Sequence, residues 1–434
     1  MADSVGKRKR TIDIEDVKKT VLENLKDRKT DQMRALFASV GQEEGPNAND
    51  VFSVMYEIDT THLSLSLFTK LCGSDQSEMV SYFVGFLQEH HRLADLNTVR
   101  LADGRTALFV AAKMGRLQTV THLLGAGADH SLTTTNGSSP LLVACGNGHT
   151  AVVLLLTDKG ANVNQARNDG TTPLWMASAD GHTAIVLLLT EKGANINQAD
   201  NDGFSPLFVA CDQGHTAVVV LLSEKGANVN QAANDGTTPL FIASANGHTA
   251  VVLLLTEKGA NINQARNDGT TPLHIACTMG HTAVVKKLLS AGADVNQPGF
   301  HQARPILSAC YNGHDKVVST LLAYGADVTP YLNQCPVQTA IDKGHQSCAE
   351  LIRSWPALQN QNTAKLCIDK LKKQGYYDVV RRTADNDLPK HLFVFRVVEM
   401  MKMCGMEPLA EHLIGFVGTS PNCACAQCVQ GGGS

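Results

Sequence analysis

The sequence predicts an all-α solenoid, built of stacked helix-turn-helix-loop units with helical regions flanking the stack. Three observations carry that prediction. Gly104, Gly137, Gly170, Gly203, Gly236 and Gly269 recur every 33 residues, and the pairs Gly148-His149, Gly181-His182, Gly214-His215, Gly247-His248, Gly280-His281 and Gly313-His314 keep the same interval. Each period holds two short apolar stretches of helical spacing, then a run of Asn, Asp and Gly with no helical period. A helix pair of this size cannot bury its own apolar face, so neighbours must stack to make a core.

One period shows how the residues do this. Thr172 stands where a hydroxyl caps a helix, and Pro173 occupies the first helical position, where its fixed φ and missing N–H cost nothing. Gly181 ends that helix, and Thr183 is the expected cap of a second one. Ile185, Val186, Leu188 and Leu189 are its apolar positions, and Gly193 ends it. Ala194 to Gly203 is rich in turn residues and reads as a hairpin-like loop. The order G-x-T-P-L, G-H, V-V-x-L-L and G-A-x-x-N at this period resembles the ankyrin repeat, which implies an ankyrin-repeat solenoid.

In chain order, residues 1–60 precede any clear repeat. They carry the basic run Lys7-Arg8-Lys9-Arg10, a helical pattern from Ile14, Val17, Val21 and Leu25 through Met33, Leu36 and Phe37, and a linker over Gly41 to Asp50. The run reads as a solvated tail, with nuclear import as its other reading. Residues 61–102 look like a worn repeat. Leu71-Cys72, then Val80, Phe83, Val84, Phe86 and Leu87, then Ala94-Asp95-Leu96-Asn97 echo the unit without T-P-L or G-H, as a terminal cap would. Clear repeats begin near Asp103, Asn136, Asp169, Asp202, Asp235, Asp268 and His301, and an eighth around Pro336 to Gly344 caps a stack spanning 103–356. Residues 357–418 show helical spacing over Ala364 to Lys373, Tyr376 to Arg382, Leu392 to Met403 and Leu409 to Phe416, and 419–434 form a Cys-rich tail that reads as flexible.

Composition bounds the function. With 43% hydrophobic residues, 18% charged residues and a net charge of −4, the chain is that of a soluble globular protein. The apolar run Ala151 to Leu156 is far short of the roughly 20 residues a membrane span needs. The charged amino terminus lacks the apolar core of a signal peptide, so the cytosol or nucleus is the expected location. No phosphate-cradling glycine loop and no H-E-x-x-H occurs, so the chain is not expected to be an enzyme, and no cofactor is implied.

The His ladder is expected to hydrogen-bond within and between loops, because ligands on one zinc must each lie about 2 Å from it and a rigid repeat keeps these apart. Cys145, Cys211, Cys277 and Cys310 share a small position that is Ala112, Ser178 or Ser244 elsewhere, and read as reduced and buried. Cys423, Cys425 and Cys428, with Cys404 and His412 upstream, have spacing open to zinc, lipidation or redox chemistry, and equally to an unstructured tail. No metal site is assigned.

The resemblance implies partner contacts at loop tips and at the exposed end of each first helix. The matching positions are Arg105, Lys113, Met114, Asp169, Thr171, Asp180, Asp202, Phe204, Asp212, Gln213, Asp235, Asn246, Asp268, Met279 and Tyr311. The family's T-P-L-H histidine survives only as His274; Phe109, Leu142, Trp175, Phe208, Phe241 and Leu307 replace it as an apolar ladder expected to pack between repeats, with Trp175 also a candidate anchor. Residues 169–267 hold nine acidic residues against Lys192, Lys225, Lys258 and Arg266. Such a surface repels phosphates, which excludes nucleic acid as the ligand of the stack and favours a basic or neutral protein. The implied function is a non-enzymatic scaffold or adaptor that binds a protein on the concave face of the stack. The alternative is the substrate-recognition subunit of a ubiquitin ligase or other enzyme complex, with the carboxy-terminal helices recruiting the catalytic partner.

Overall fold

The computed structural model describes residues 72–73, 77–89, 93–98, 100–329 and 334–355. The amino-terminal basic run, helix and linker, the carboxy-terminal helices and the Cys423, Cys425 and Cys428 cluster lie outside the described residues, as do Leu71 and the side chains of Phe83 and Phe86. The described chain is helical, with no β-strand.

After a leading helix, Ser77–Glu89, and a short one, Asp95–Thr98, first and second helices alternate. First helices are short: Ala107–Lys113, Pro140–Gly146, Pro173–Ala179, Pro206–Asp212, Pro239–Ala245, Pro272–Met279, Pro305–Tyr311 and Pro336–Asp342. Second helices are Leu117–Gly125, Thr150–Asp158, Thr183–Glu191, Thr216–Glu224, Thr249–Glu257, Thr282–Ser290 and Asp315–Ala323, with a last one over 346–355.

The first helices start where the sequence says they should. Thr106, Ser139, Thr172, Ser205 and Thr271 hold extended φ/ψ, and each side chain accepts the N–H of the residue three ahead, as Thr172 does from Trp175 at 3.1 Å. Second helices start differently from the expectation. His182, not Thr183, is the N-cap, and it makes no side-chain cap bond because its ring is engaged elsewhere; Thr183 is the first helical residue. In the equivalent position Thr249 turns its hydroxyl back to the Gly247 carbonyl at 3.4 Å.

The described chain divides into two compact units. One runs to Ala243 and takes in Glu257–Ala260; the other comprises Ser244–Thr256 and the residues from Asn261 on. In the first unit the core is a ladder of equivalent residues: Leu108, Leu141, Leu174 and Leu207 from the first helices, Val120, Val153, Val186 and Val219 from the second, all buried. Ile185, Val186 and Leu189 are fully buried, whereas Leu188 is only half-buried and Leu187 is 39% exposed, so the second helix is apolar well beyond its core face. Cys72, Val80, Leu87 and Leu96 give the leading helices a buried face of their own. The second unit repeats the plan with Leu273, Cys277, Val285, Leu288, Ile306, Val318 and Leu321.

The histidine ladder works as expected. Within the first unit the Nε2 of His149, His182 and His215 donates to the carbonyls of Lys113, Gly146 and Ala179 at 2.9, 3.1 and 3.0 Å. In the second unit His281 and His314 do the same to Ala245 and Thr278 at 2.9 and 3.0 Å. Each ring satisfies an orphan carbonyl at the end of the preceding first helix, which ties neighbouring repeats through a polar bond as well as through the core. The four ladder cysteines are free and buried, and burial pushes their thiols far up, Cys310 to about 12. Ser178, in the same position, satisfies its hydroxyl by donating to the Leu174 carbonyl at 2.7 Å.

Candidate protein-binding surface

Between repeats the chain folds into a tight hairpin. Arg167 donates its N–H to the Thr171 carbonyl at 2.8 Å, and Gly170 donates to Arg167 at 2.9 Å. Gly170 needs its positive φ of 86° there. Successive tips are bonded to each other: Thr135 to Asp103, Asn168 to Asn136, Asn201 to Asp169 and Asn234 to Asp202, each N–H to carbonyl at 2.9 to 3.1 Å. The tips in the first unit are therefore a rigid row, which lowers the ordering cost of binding a partner.

A second row lies one loop away. The Oδ1 of Asn97 accepts the Asp129 N–H at 2.8 Å, Asn164 that of Asn195 at 2.8 Å, and Asn197 that of Asn228 at 2.9 Å. In the second unit Asn263 and Asn296 clamp Asp294 and Asp327 in the same way. These asparagines position the loops, and the sequence reading missed their role. The signal was present in G-A-x-x-N.

Most of the positions implied by the resemblance reach solvent. Lys113, Met114, Asp169, Asp180, Asp202, Gln213, Asp235, Asn246, Met279 and Tyr311 are exposed. Arg105, Trp175, Phe204, Asp212 and Asp268 are half-buried. Thr171 does not belong with them: it is 2% exposed, its N–H is held by Asp169 at 3.1 Å and its carbonyl closes the hairpin. A residue that short, directly after the turn glycine, points into the base of the hairpin rather than out of its tip.

The tip carboxylates are not alike. Arg167 forks onto Asp169, and Arg266 bonds Asp268 through a guanidinium nitrogen; each guanidinium holds its aspartate well below the usual carboxylate range. Neither arginine was singled out from the sequence, although Arg-x-Asp straddling a turn is a readable spacing. Arg105 pairs with Asp103 at 2.6 Å, and these two line a groove of about 390 Å³ with Phe109, Lys113, Thr134 and Ser138. Asp200 goes the other way. Burial raises it, its backbone bonds to Phe204 and Asp202 oppose that, and the charges of Asp202 and Asp169 raise it further.

The apolar ladder is mostly packing. Phe109, Leu142, Phe208 and Phe241 are buried, and His274 takes the same place at 5% exposure. Trp175 is half-buried, donating Nε1–H to the Phe204 carbonyl at 3.0 Å and packing with Phe204 on the cluster of Phe208, Val209 and Ala233. In the second unit Met279 is 54% and Tyr311 51% exposed, and the Lys343 ammonium sits 4.3 Å above the Tyr311 ring. The exposed Phe300 at a hairpin tip was not anticipated.

Among the described residues no group of three His, Cys, Asp or Glu could hold a metal ion, and no helix is long and apolar enough to cross a membrane. No curated protein matches the chain. Among solved structures, the crystal structure of the human ASB11 ankyrin repeat domain is 30% identical, with a TM-score of 0.44, over 46% of this chain and 90% of that one. The family model for ankyrin repeats, in three copies, matches residues 47–167, 115–200, 141–233 and 207–299. Those matches span more than half of the sequence, with the T-P-L caps, the G-H pairs from Gly148-His149 to Gly280-His281 and the turn glycines inside them, and the chain belongs to the ankyrin-repeat family.

Proposed function

We propose that this protein is a non-enzymatic scaffold or adaptor that holds a protein partner on its hairpin tips and first-helix ends. Ankyrin repeats are protein-interaction modules, and the observation that supports this reading most directly is the bonded row of tips from Asp103 to Asn234. It presents exposed side chains of repeat-specific identity on a backbone that does not have to be ordered at binding. The acidic balance of residues 169–267 fits a basic or neutral protein and disfavours nucleic acid.

The test is co-purification from cells with the full chain and with a chain stopped at residue 358. Recovery of the same proteins by both supports binding by the repeats, with the remainder accessory. Loss of all partners on truncation overturns it and moves recognition to the carboxy-terminal region. Loss of a subset that consists of ligase core subunits would make the chain the substrate-recognition arm of such a complex.

A further inference from the structure

The fourth repeat breaks its own family's rule at one residue. Directly after the turn glycine, the first repeat carries Arg105, which pairs with Asp103, and four repeats carry a small hydroxyl residue that is buried: Ser138, Thr171, Thr237 and Thr270. That residue engages the polar side chain two positions before it. Thr237 bonds Asp235 through both its N–H at 2.9 Å and its hydroxyl at 2.7 Å, and the N–H groups of Thr171 and Thr270 reach Asp169 and Asp268.

In the fourth repeat this position is Phe204, which the small site cannot hold. Its ring stays half-exposed, stacked at 4.6 Å on Phe208, and its carbonyl takes the Trp175 Nε1–H. Its N–H goes to the Asp200 carboxylate at 2.8 Å instead of to Asp202. Asp202 therefore has neither the threonine partner nor the arginine partner of its counterparts, and its carboxylate faces solvent with no hydrogen bond or ion pair among the described residues. Two differences, Phe204 for the small hydroxyl residue and Asp200 for the arginine of Arg167 and Arg266, thus bring an apolar aromatic shelf to the surface and free a carboxylate beside it.

We propose that Trp175 and Phe204, with Asp202 and Asp200 at their edge, dock a cationic segment of the partner, an arginine- or lysine-bearing stretch whose alkyl stem lies on the rings and whose charge meets the carboxylates. This deepens the reading of the repeats as a protein-binding surface and rests on it. Charge decides the occupant. Arg105 and Arg167, on the tips of this row, are already committed to Asp103 and Asp169, so the surface around Asp200 and Asp202 offers negative charge beside an apolar floor. Long basic side chains are amphipathic in the complementary sense.

The chain has two tryptophans, Trp175 and Trp355, so a full-length Trp355→Phe chain makes Trp175 the sole reporter. It is titrated with a labelled peptide of alternating arginine and glycine at physiological ionic strength, reading anisotropy and tryptophan emission together. The expected result is binding with a change in Trp175 emission, weakened about tenfold by Asp202→Asn and about tenfold by Phe204→Thr. Glu191→Gln removes one carboxylate from a second helix and should leave the affinity unchanged.

Phe204→Thr restores the residue of the sister repeats and is expected to fold; if its melt shows otherwise, Asp202→Asn decides. Equal weakening by Glu191→Gln and Asp202→Asn, or a silent Trp175, overturns the docking point by showing diffuse attraction. If the Asp202→Asn, Phe204→Thr chain still captures every partner of the parent and binds the peptide as well, this inference fails while the scaffold reading stands. If the chain stopped at residue 358 captures nothing, the scaffold reading fails, and the peptide titration still reads the docking point by itself.

Discussion

The hairpins leading into the third and seventh repeats make the same bonds with different residues. In the third, Arg167 N–H to Thr171 and Gly170 N–H to Arg167 close the turn at 2.8 and 2.9 Å; in the seventh, Gly299 N–H to Ala303 and Gln302 N–H to Gly299 close it at the same lengths. Gly170 takes a φ of 86°, as glycine does freely, whereas His301 and Gln302 are driven to 54° and 60°. Thr172 caps the third repeat's first helix with its side chain, and Arg304, at the seventh repeat's cap, makes no such bond. The geometry of the turn is thus imposed by the packed neighbours and survives loss of the residues that favour it. Local signals mark the ankyrin unit without being required at every copy.

The largest expected effect is the exchange of those two turn residues in the regular repeat. Gly170→Gln should destabilise the chain by about 3 kcal/mol, read as a lower denaturant midpoint, because strain and collision add. A Cβ there would lie 2.8 Å from the Asn201 backbone nitrogen and 2.9 Å from the Asp200 Cα, neither of which can swing aside. Gly193→Ala is the contrast. It has a similar φ of 84° with nothing within 4 Å, so only the strain remains, about 1 kcal/mol. Equal losses at the two sites would show that close approach does not matter at the tip.

His274 differs in kind from the apolar residues that take its place elsewhere in the ladder. Its ring is buried, its Nε2 lies 2.7 Å from the Ser308 hydroxyl, and desolvation pulls its pKa down from 6.5 to about 4, against the weaker pull of Asp268. The unfolded chain takes up a proton near pH 6.5 and the folded chain only near pH 4. The stabilising preference for the neutral ring is full above pH 6.5 and drains away between the two values. The amount is on the order of 3 kcal/mol. His274→Leu, the residue found at Leu142 and Leu307, should flatten that part of the pH profile of the denaturant midpoint; an unchanged slope would place the acid sensitivity elsewhere.

Repeat period, helix pairs, caps and the cysteine ladder were legible because each is a local requirement written once per 33 residues. The histidine ladder was legible as structure for the same reason. Much of what escaped depends on the neighbouring repeat. Gly181 ends a helix in its own repeat, but the His215 ring of the next one also lies 2.8 Å from where its Cβ would be. The asparagine row joins partners 31 residues apart. The Arg167–Asp169 and Arg266–Asp268 pairs are local, with a spacing that was readable, and Thr171 was placed on the surface because period alone does not say which side of a hairpin a residue faces. Trp175 and Phe204 were each visible in the sequence, yet the bond that joins them spans 29 residues.

A smaller effect comes from the caps. Thr172→Ala should cost about 1 kcal/mol, leaving the Trp175 N–H without its acceptor at the start of a buried helix. The reciprocal change, Arg304→Thr, should return less than that to the seventh repeat. It supplies the missing cap but removes a guanidinium that reaches Asp327 at 2.8 Å. A gain as large as the loss at Thr172 would mean that this ion pair contributes nothing.

The smallest expected effect is at Gln302. Replacing it by glycine relieves a left-handed backbone that costs a non-glycine residue about 1 kcal/mol. It also frees the unfolded chain, which opposes folding by somewhat less. The two nearly cancel, so Gln302→Gly should raise stability by no more than about 0.5 kcal/mol, measured as a shift in denaturant midpoint at unchanged slope. The neighbour matters for the sign: Phe300 and His301 hold their rings 3.8 Å apart at this tip, and a looser turn gives up part of that contact. A gain well above this would mean that the seventh hairpin is held under more strain than one left-handed residue accounts for. A loss would mean that the Phe300–His301 contact stabilises the tip by more than the turn costs.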